Sequence, residues 1–136
     1  MHIAVCDDES YFRKILIKDL NTYAAEYGLE LIIYEYRDGN DLLTSNISFD
    51  VIFMDYRMEE RNGLDTVSVL RKRNIDTKVI FISSYKEVVF DSMKVNTFHF
   101  LVKPYNKLLF KMKKTESMIY ILVSMKTFCK MKCEIN

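Results

Sequence analysis

The chain has 136 residues, 49% of them hydrophobic and 29% charged, the composition of one soluble globular domain with a single core. Three Gly and one Pro leave little room for flexible linkers, and the longest clean apolar run, Met118 to Val123, is far short of the ~20 residues a membrane span needs. Net charge is +1 but uneven: residues 1–102 carry 12 Lys and Arg against 17 Asp and Glu, and from Lys103 onward there are 8 Lys against 2 Glu, so an acidic body meets a basic tail.

The N-terminus, Met1-His2-Ile3-Ala4-Val5-Cys6-Asp7, lacks the basic start and long apolar core of a signal peptide. The three Cys form no paired framework, which points to a reducing cytoplasm. Ile3 to Cys6 reads as a first strand ending at Asp7-Asp8-Glu9. Phe12, Leu16, Leu20, Tyr23 and Tyr27 then fall on one helical face, and Gly28 suits a left-handed C-cap. Leu29 to Tyr36 reads as a second strand. Asp38-Gly39-Asn40 is a turn signal, and Asp41 is placed to cap a short helix through Leu42 and Leu43.

Asp50 to Asp55 is an apolar run ending on a carboxylate, as expected of a strand buried on both faces of a parallel sheet. A polar loop, Tyr56 to Asn62, leads through Gly63 into a helix with Leu64, Val67 and Leu70 on one face and Arg71-Lys72-Arg73 at its C-terminus. Lys78 to Ile82 is a fourth strand ending at Ser83-Ser84, and Val89 and Met93 mark a weaker helix. Phe98 to Val102 is a fifth strand ending at Lys103-Pro104. From Tyr105 the pattern is helical, with Leu108, Met112, Ile119 and Leu122 among its apolar positions. Strand and helix alternate five times, which predicts an α/β fold with a parallel sheet and right-handed crossovers.

In such a sheet the carboxyl ends of all strands share one edge, where ligands bind. Asp7, Asp8, Asp55, Ser83 and Lys103 should therefore converge. Each has a plainer reading: Asp7 and Asp8 as caps of the first helix, Ser83 as a cap of the fourth, Asp55 as a turn residue, Lys103 as a solvated cation. Together they make a coherent chemistry. Clustered carboxylates tolerate one another beside a cation, and an all-oxygen site selects a hard ion such as Mg²⁺. A carboxylate there can attack phosphorus, with Lys103 and the Ser83 hydroxyl at the phosphoryl oxygens. No Gly-rich phosphate loop is present to hold a nucleotide. Cys129 and Cys133, four apart, make a poor zinc set with His2 and His99 distant, and Cys6 reads as a buried small apolar residue.

Cys6-Asp7-Asp8-Glu9, Met54-Asp55, Gly63-Leu64, Phe81-Ile82-Ser83-Ser84 and Leu101-Val102-Lys103-Pro104 stand in the order and spacing of the receiver domains of two-component response regulators. The resemblance covers roughly residues 1 to 122, leaving 123–136 as a basic C-terminal extension or linker that continues the last helix. It implies a flavodoxin-like, doubly wound five-stranded sheet of order 2-1-3-4-5 with helices on both faces. Asp7-Asp8-Glu9 and the stretch Phe98 to Pro104 look most like receivers that precede LytTR-type DNA-binding domains.

The resemblance further implies that Asp55 is the phospho-acceptor for a sensor histidine kinase. Asp8 would hold Mg²⁺ directly, Asp7 through water, and the backbone carbonyl of Arg57 would be a third ligand. Ser83 would be the switch hydroxyl and Phe100 the switch aromatic. Lys103 would pair with the phosphate, with a cis bond to Pro104. The output would be transcription, or a homodimer through the face of the fourth and fifth helices. A transcriptional output implies a DNA-binding domain after about residue 130, so the chain reads as a receiver fragment or as a stand-alone receiver. Direct DNA contact by Lys126, Lys130 and Lys132 has no motif behind it. Two departures stand out. No Pro follows Met58, where Glu59-Glu60-Arg61 make the loop more acidic and more mobile, and Phe100 lacks the hydroxyl of the commoner Tyr. The alternatives are an Mg²⁺-dependent phosphohydrolase, disfavoured by Arg57 where a second Asp is usual, and an interaction module without phosphorylation.

Overall fold

The structure is a computed structural model and describes residues 1–84, Val95 and residues 99–103, with residues 99–102 described by their backbone. Its elements run β1 (His2–Cys6), α1 (Ser10–Tyr27), β2 (Ile32–Tyr36), α2 (Gly39–Leu43), β3 (Val51–Asp55), α3 (Gly63–Lys72), β4 (Lys78–Ser83) and β5 (His99–Val102). All pairings are parallel, and the strand order is β2-β1-β3-β4-β5, as expected. From β1 the chain steps outward to β2, and from β3 it steps the opposite way to β4. With right-handed crossovers, α1 and α3 must lie on opposite faces of the sheet.

Position in the sheet explains composition. β3 sits in the middle, and all five of its residues are buried, so the run carries no polar alternation. β2 is the edge strand and leaves Ile32 half exposed. Successive strand residues face opposite sides. Ala4, Cys6, Ile52, Met54, Val79 and Phe81 pack with Leu42 of α2 and Val67 and Leu70 of α3. Ile3, Val5, Val51, Phe53 and Ile80 are buried on the alternate side, and Leu16, Leu20 and Tyr23 form the buried stripe of α1. The register pairs Cys6 with Met54, Asp55 with Ile82 and Ser83 with Val102, so the strands end in step.

Several expectations are corrected. Tyr27 closes the apolar repeat of α1 but is exposed, in the last turn of the helix. β2 begins at Ile32 instead of Leu29. The intervening backbone turns back after Gly28, whose φ of 62° ends α1 with its N–H on Ala24 O. The cap of α2 is Asp38, not Asp41: its Oδ1 accepts from Asp41 N at 2.9 Å. Asp50 stands before β3, and its Oδ2 takes the His2 N–H at 2.7 Å. The loop after β3 is also tied at several points. Met58 is buried, Glu59 N donates to Asp8 Oδ2, and Arg61 Nε donates to Asn40 Oδ1 at 2.9 Å. The helix marked by Val89 and Met93, the pattern from Tyr105, the 122/123 boundary, Cys129 and Cys133 lie outside the described residues.

Arg71 does more than complement the end of α3. Its guanidinium donates to Ile75 O (2.7 Å), Thr77 O (2.9 Å) and Val95 O (3.1 Å), clamping the turn into β4. Arg71→Met keeps the apolar stem but strips these carbonyls of a charged donor. It should cost about 2–4 kcal/mol in urea denaturation. A change below about 0.5 kcal/mol, the scale of an ordinary surface substitution, would show that the clamp carries no stability.

Candidate functional site

The shared strand edge brings the expected residues together. Asp7, Asp55, Ser83 and Lys103 are all buried there, and Asp8 is exposed beside them. Asp7, Asp8 and Asp55 each offer a carboxylate oxygen, and these oxygens lie within 4.8 Å of one another. Among the described residues this is the one group of acidic, His or Cys side chains arranged to hold a metal ion.

Local backbone chemistry explains how the cluster is held. Asp7 N donates to Tyr36 O at 3.1 Å, extending the pairing of β1 with β2 by one residue. Neither Asp7 nor Asp8 caps α1. The N-cap is Glu9, whose side chain makes no capping bond, and Asp7 Oδ1 accepts the Glu9 N–H at 2.9 Å. Arg13, in the first turn of α1, donates from Nη1 to Asp7 O at 2.7 Å and holds its Nε 3.6 Å from Glu35. Nothing in the sequence marked Arg13 for this task, because its partner is a backbone carbonyl. Glu59 N reaches Asp8 Oδ2 at 3.3 Å, so the loop after β3 orients the exposed carboxylate.

Gly63 allows that loop to close. Its N–H donates to Tyr56 O at 2.8 Å, and a Cβ there would stand 2.2 Å from Asp55 O and 2.8 Å from Met54 Cγ. Asn62 caps α3, its Oδ1 accepting from Asp65 N at 2.8 Å.

Lys103 supplies the positive charge. Its backbone N–H donates to Ser83 O at 2.8 Å, which ties the end of β5 to the end of β4. Its Nζ lies 2.6 Å from Asp7 Oδ2 and 3.5 Å from Asp55 Oδ1, and 4.1 Å from the centre of the Phe12 ring. The plainer reading of Lys103 as a solvated cation is therefore excluded. One ammonium pairs with two of the three carboxylates, and it sits closer to Asp7 than to Asp55.

This imbalance appears in the proton affinity of Asp55. Burial raises its carboxyl most, the Asp7 charge raises it further, and Lys103 opposes both; the result is pushed up to about 7. A divalent cation among the three carboxylates would remove this penalty, so an oxygen-only donor set with surplus negative charge fits Mg²⁺. Burial likewise pushes the Cys6 thiol well above its ordinary value, with Asp38 and Asp7 adding to the effect. Cys6 Sγ points at Met58 Sδ, 3.7 Å away, so Cys6 is the apolar core residue expected and not a nucleophile.

Arg57 is exposed in the loop after Asp55. Phe100 pairs with Phe81 in the β4–β5 register; its side chain and the bond from Lys103 to Pro104 lie outside the described residues.

Comparisons with known proteins agree with this geometry. The family model described as "Response regulator receiver domain" matches residues 3–115. A chemotaxis protein CheY homologue of Campylobacter jejuni is 30% identical over 123 residues, spanning 83% of this chain and 88% of the relative. An uncharacterized response regulatory protein of Yersinia pestis is 27% identical over 106 residues, covering 76% of this chain but only 42% of that longer protein. Among solved structures, the response regulator TrrA of Thermotoga maritima, in complex with Mg²⁺ and beryllium fluoride, superposes with a TM-score of 0.67 at 26% identity, covering 81% of this chain and 93% of the other.

Proposed function

This chain belongs to the response regulator receiver domain family, and from that premise we propose that it is a phospho-acceptor switch whose acceptor is Asp55. The observation that carries the proposal is the meeting of three carboxylates within 4.8 Å with a buried ammonium touching two of them. An oxygen of Asp55 attacks the phosphorus of a phosphohistidine on a sensor histidine kinase. The P–N bond breaks, its electron pair stays on the imidazole nitrogen, and Asp55 becomes an acyl phosphate.

Asp8 and Asp7, with Asp55 and the backbone carbonyl of Arg57, are the residues that would hold Mg²⁺. The ion would neutralise charge on the phosphoryl oxygens. Lys103 moves its charge from Asp7 toward the new phosphoryl group, and the Ser83 hydroxyl donates to another of its oxygens. The structure of the Thermotoga regulator with Mg²⁺ and beryllium fluoride supports the same use of the site here. Such a protein is consumed and regenerated by phosphotransfer and autodephosphorylation, and it is not a turnover enzyme in the usual sense.

Signalling then follows from a shift between two states of Ser83, Phe100 and the face formed by the fourth and fifth helices. That face would take an output partner or a second copy of the chain. The sequence likeness to receivers that precede LytTR-type domains makes transcription the proposed output, with DNA reached through such a domain. We place the protein in the cytoplasm with its kinase; none of the described helices is long and apolar enough to cross a membrane.

The test is intact-mass measurement after incubation with Mg²⁺ and a small phosphodonor such as phosphoramidate. The expected result is one phosphoryl increment, abolished by EDTA and absent from Asp55→Ala. An unmodified wild-type mass, or an increment that survives in Asp55→Ala, would overturn the assignment. Steady phosphate release from a phosphomonoester would instead favour a phosphohydrolase.

A further inference from the structure

The Lys103 ammonium lies 4.1 Å from the centroid of the Phe12 ring, within the range in which an aromatic face attracts a cation. Phe12 belongs to the first turn of α1 and has no polar group, so the chemistry proposed for the site makes no use of it. Its place is nevertheless well determined. Tyr11 meets its ring edge-on at 5.5 Å with an interplanar angle of 72°. The neighbouring Arg13 pins the same helical turn to Asp7 O at 2.7 Å. The ring is therefore anchored to the strand end that carries Asp7, while Lys103 arrives from β5.

A lysine side chain has four rotatable bonds, and confining it costs rotamer freedom. Three features confine this one before any phosphoryl group arrives: its backbone bond to Ser83 O, its ion pair with Asp7 and the face of Phe12. The first holds only the base of the side chain. The second must yield when the charge turns toward Asp55. The ring contact needs neither a proton nor a counter-charge, so it can persist while the ammonium changes partner.

We propose that Phe12 is a positioning residue that holds the Lys103 ammonium, through its aromatic face, where it can pass from Asp7 to a phosphoryl group on Asp55. The inference rests on the reading of Asp55 as phospho-acceptor and adds to it a residue that never touches the phosphoryl group.

The experiment measures beryllofluoride binding in the presence of Mg²⁺ by calorimetry, on proteins that differ at position 12 alone. Phe12→Leu, which keeps the bulk and loses the aromatic face, should bind about 3–10-fold more weakly, and Phe12→Tyr should stay within about twofold of the wild type. A pentafluorinated phenylalanine ring at position 12 keeps the shape but reverses the charge distribution of the face, and it should bind as weakly as Phe12→Leu or worse. Wild-type binding by the pentafluorinated protein makes the ring a packing element and overturns the inference, as does unchanged or tighter binding by Phe12→Leu. If the wild type itself takes up no beryllofluoride, the reading of the Asp55 site has failed, an outcome distinct from failure at Phe12 alone.

Discussion

Replacing Asp55 by Asn is expected to raise the stability of the metal-free protein at pH 8 while removing its capacity to hold a phosphoryl group. The two effects share one cause. Asp55 is buried beside Asp7, and its carboxyl is pushed from 3.8 up to about 7 by burial first and by the Asp7 charge second. Between those values the native protein holds a proton that the unfolded chain has lost. Stability from this group is therefore fully present below about pH 4 and is lost as pH rises through about 7. A carboxyl displaced from 3.8 to about 7 sets a ceiling near 4 kcal/mol on the penalty at pH 8. Asn also forgoes the attraction of Lys103, 3.5 Å from Asp55, so a net gain of about 1–3 kcal/mol is the expected result.

Urea denaturation at pH 5 and pH 8 in EDTA reads this directly. The wild type should be less stable at pH 8 than at pH 5, and the difference should shrink in Asp55→Asn. Mg²⁺ should stabilise the wild type most at pH 8, above the value of about 7 to which Asp55 is pushed, and the variant much less. The phosphoryl increment should fall below detection in Asp55→Asn at every pH. A variant less stable than the wild type at pH 8 would mean that Asp55 is held comfortably as a carboxylate, against the geometry of one ammonium among three acids.

Gly63→Ala should be a damaging change where the loop after β3 enters α3. A methyl group there would overlap Asp55 O at 2.2 Å and Met54 Cγ at 2.8 Å. Met54 can adjust, since its side chain is flexible. The Asp55 carbonyl cannot adjust without moving the last residue of the central strand. Overpacking of this kind costs about 1–3 kcal/mol, with the upper end expected where backbone must move. Because the shifted residue carries the carboxylate proposed as acceptor, phosphorylation by phosphoramidate should slow by about 10-fold or more, as small misplacements at a reacting centre do. Thermal denaturation and the intact-mass time course measure the two effects on the same preparation. Wild-type kinetics in a destabilised Gly63→Ala would show that the clash is relieved away from Asp55.

Much of this was readable in the chain before any tertiary structure. The unbroken apolar run Val51 to Met54 suits a strand buried on both faces, because a surface strand needs polar alternation. Once strands and helices alternated, right-handed crossovers put every strand's carboxyl end on one edge, and Asp7, Asp55, Ser83 and Lys103 followed from topology alone. The helix ends were less legible. Asp38 and Asp41 carry the same carboxylate, and only the backbone path decided that Asp38 is the cap. Tyr27 continued an apolar repeat into the last turn of α1, where it is exposed. Periodicity reports what a helix offers, and it does not report how far its neighbour extends.

The contacts that tune the site were decided by tertiary structure. Phe12 and Leu16 share one apolar stripe in sequence, yet Leu16 is buried while Phe12 lies against the Lys103 ammonium, just after β5. Arg13 and Arg71 are ordinary basic residues until backbone carbonyls from other segments come within reach of their guanidinium groups. Gly63 reads as a helix start, and the reason no side chain fits there is the carbonyl of Asp55, eight positions earlier. The preference of Lys103 for Asp7 over Asp55 is a matter of 2.6 Å against 3.5 Å. The sequence by itself determined which chemical groups meet at the sheet edge, because topology and residue type suffice for that. Their separations, and so their proton affinities, were decided only by packing, because electrostatic interaction depends on distance and burial, and a linear pattern carries neither.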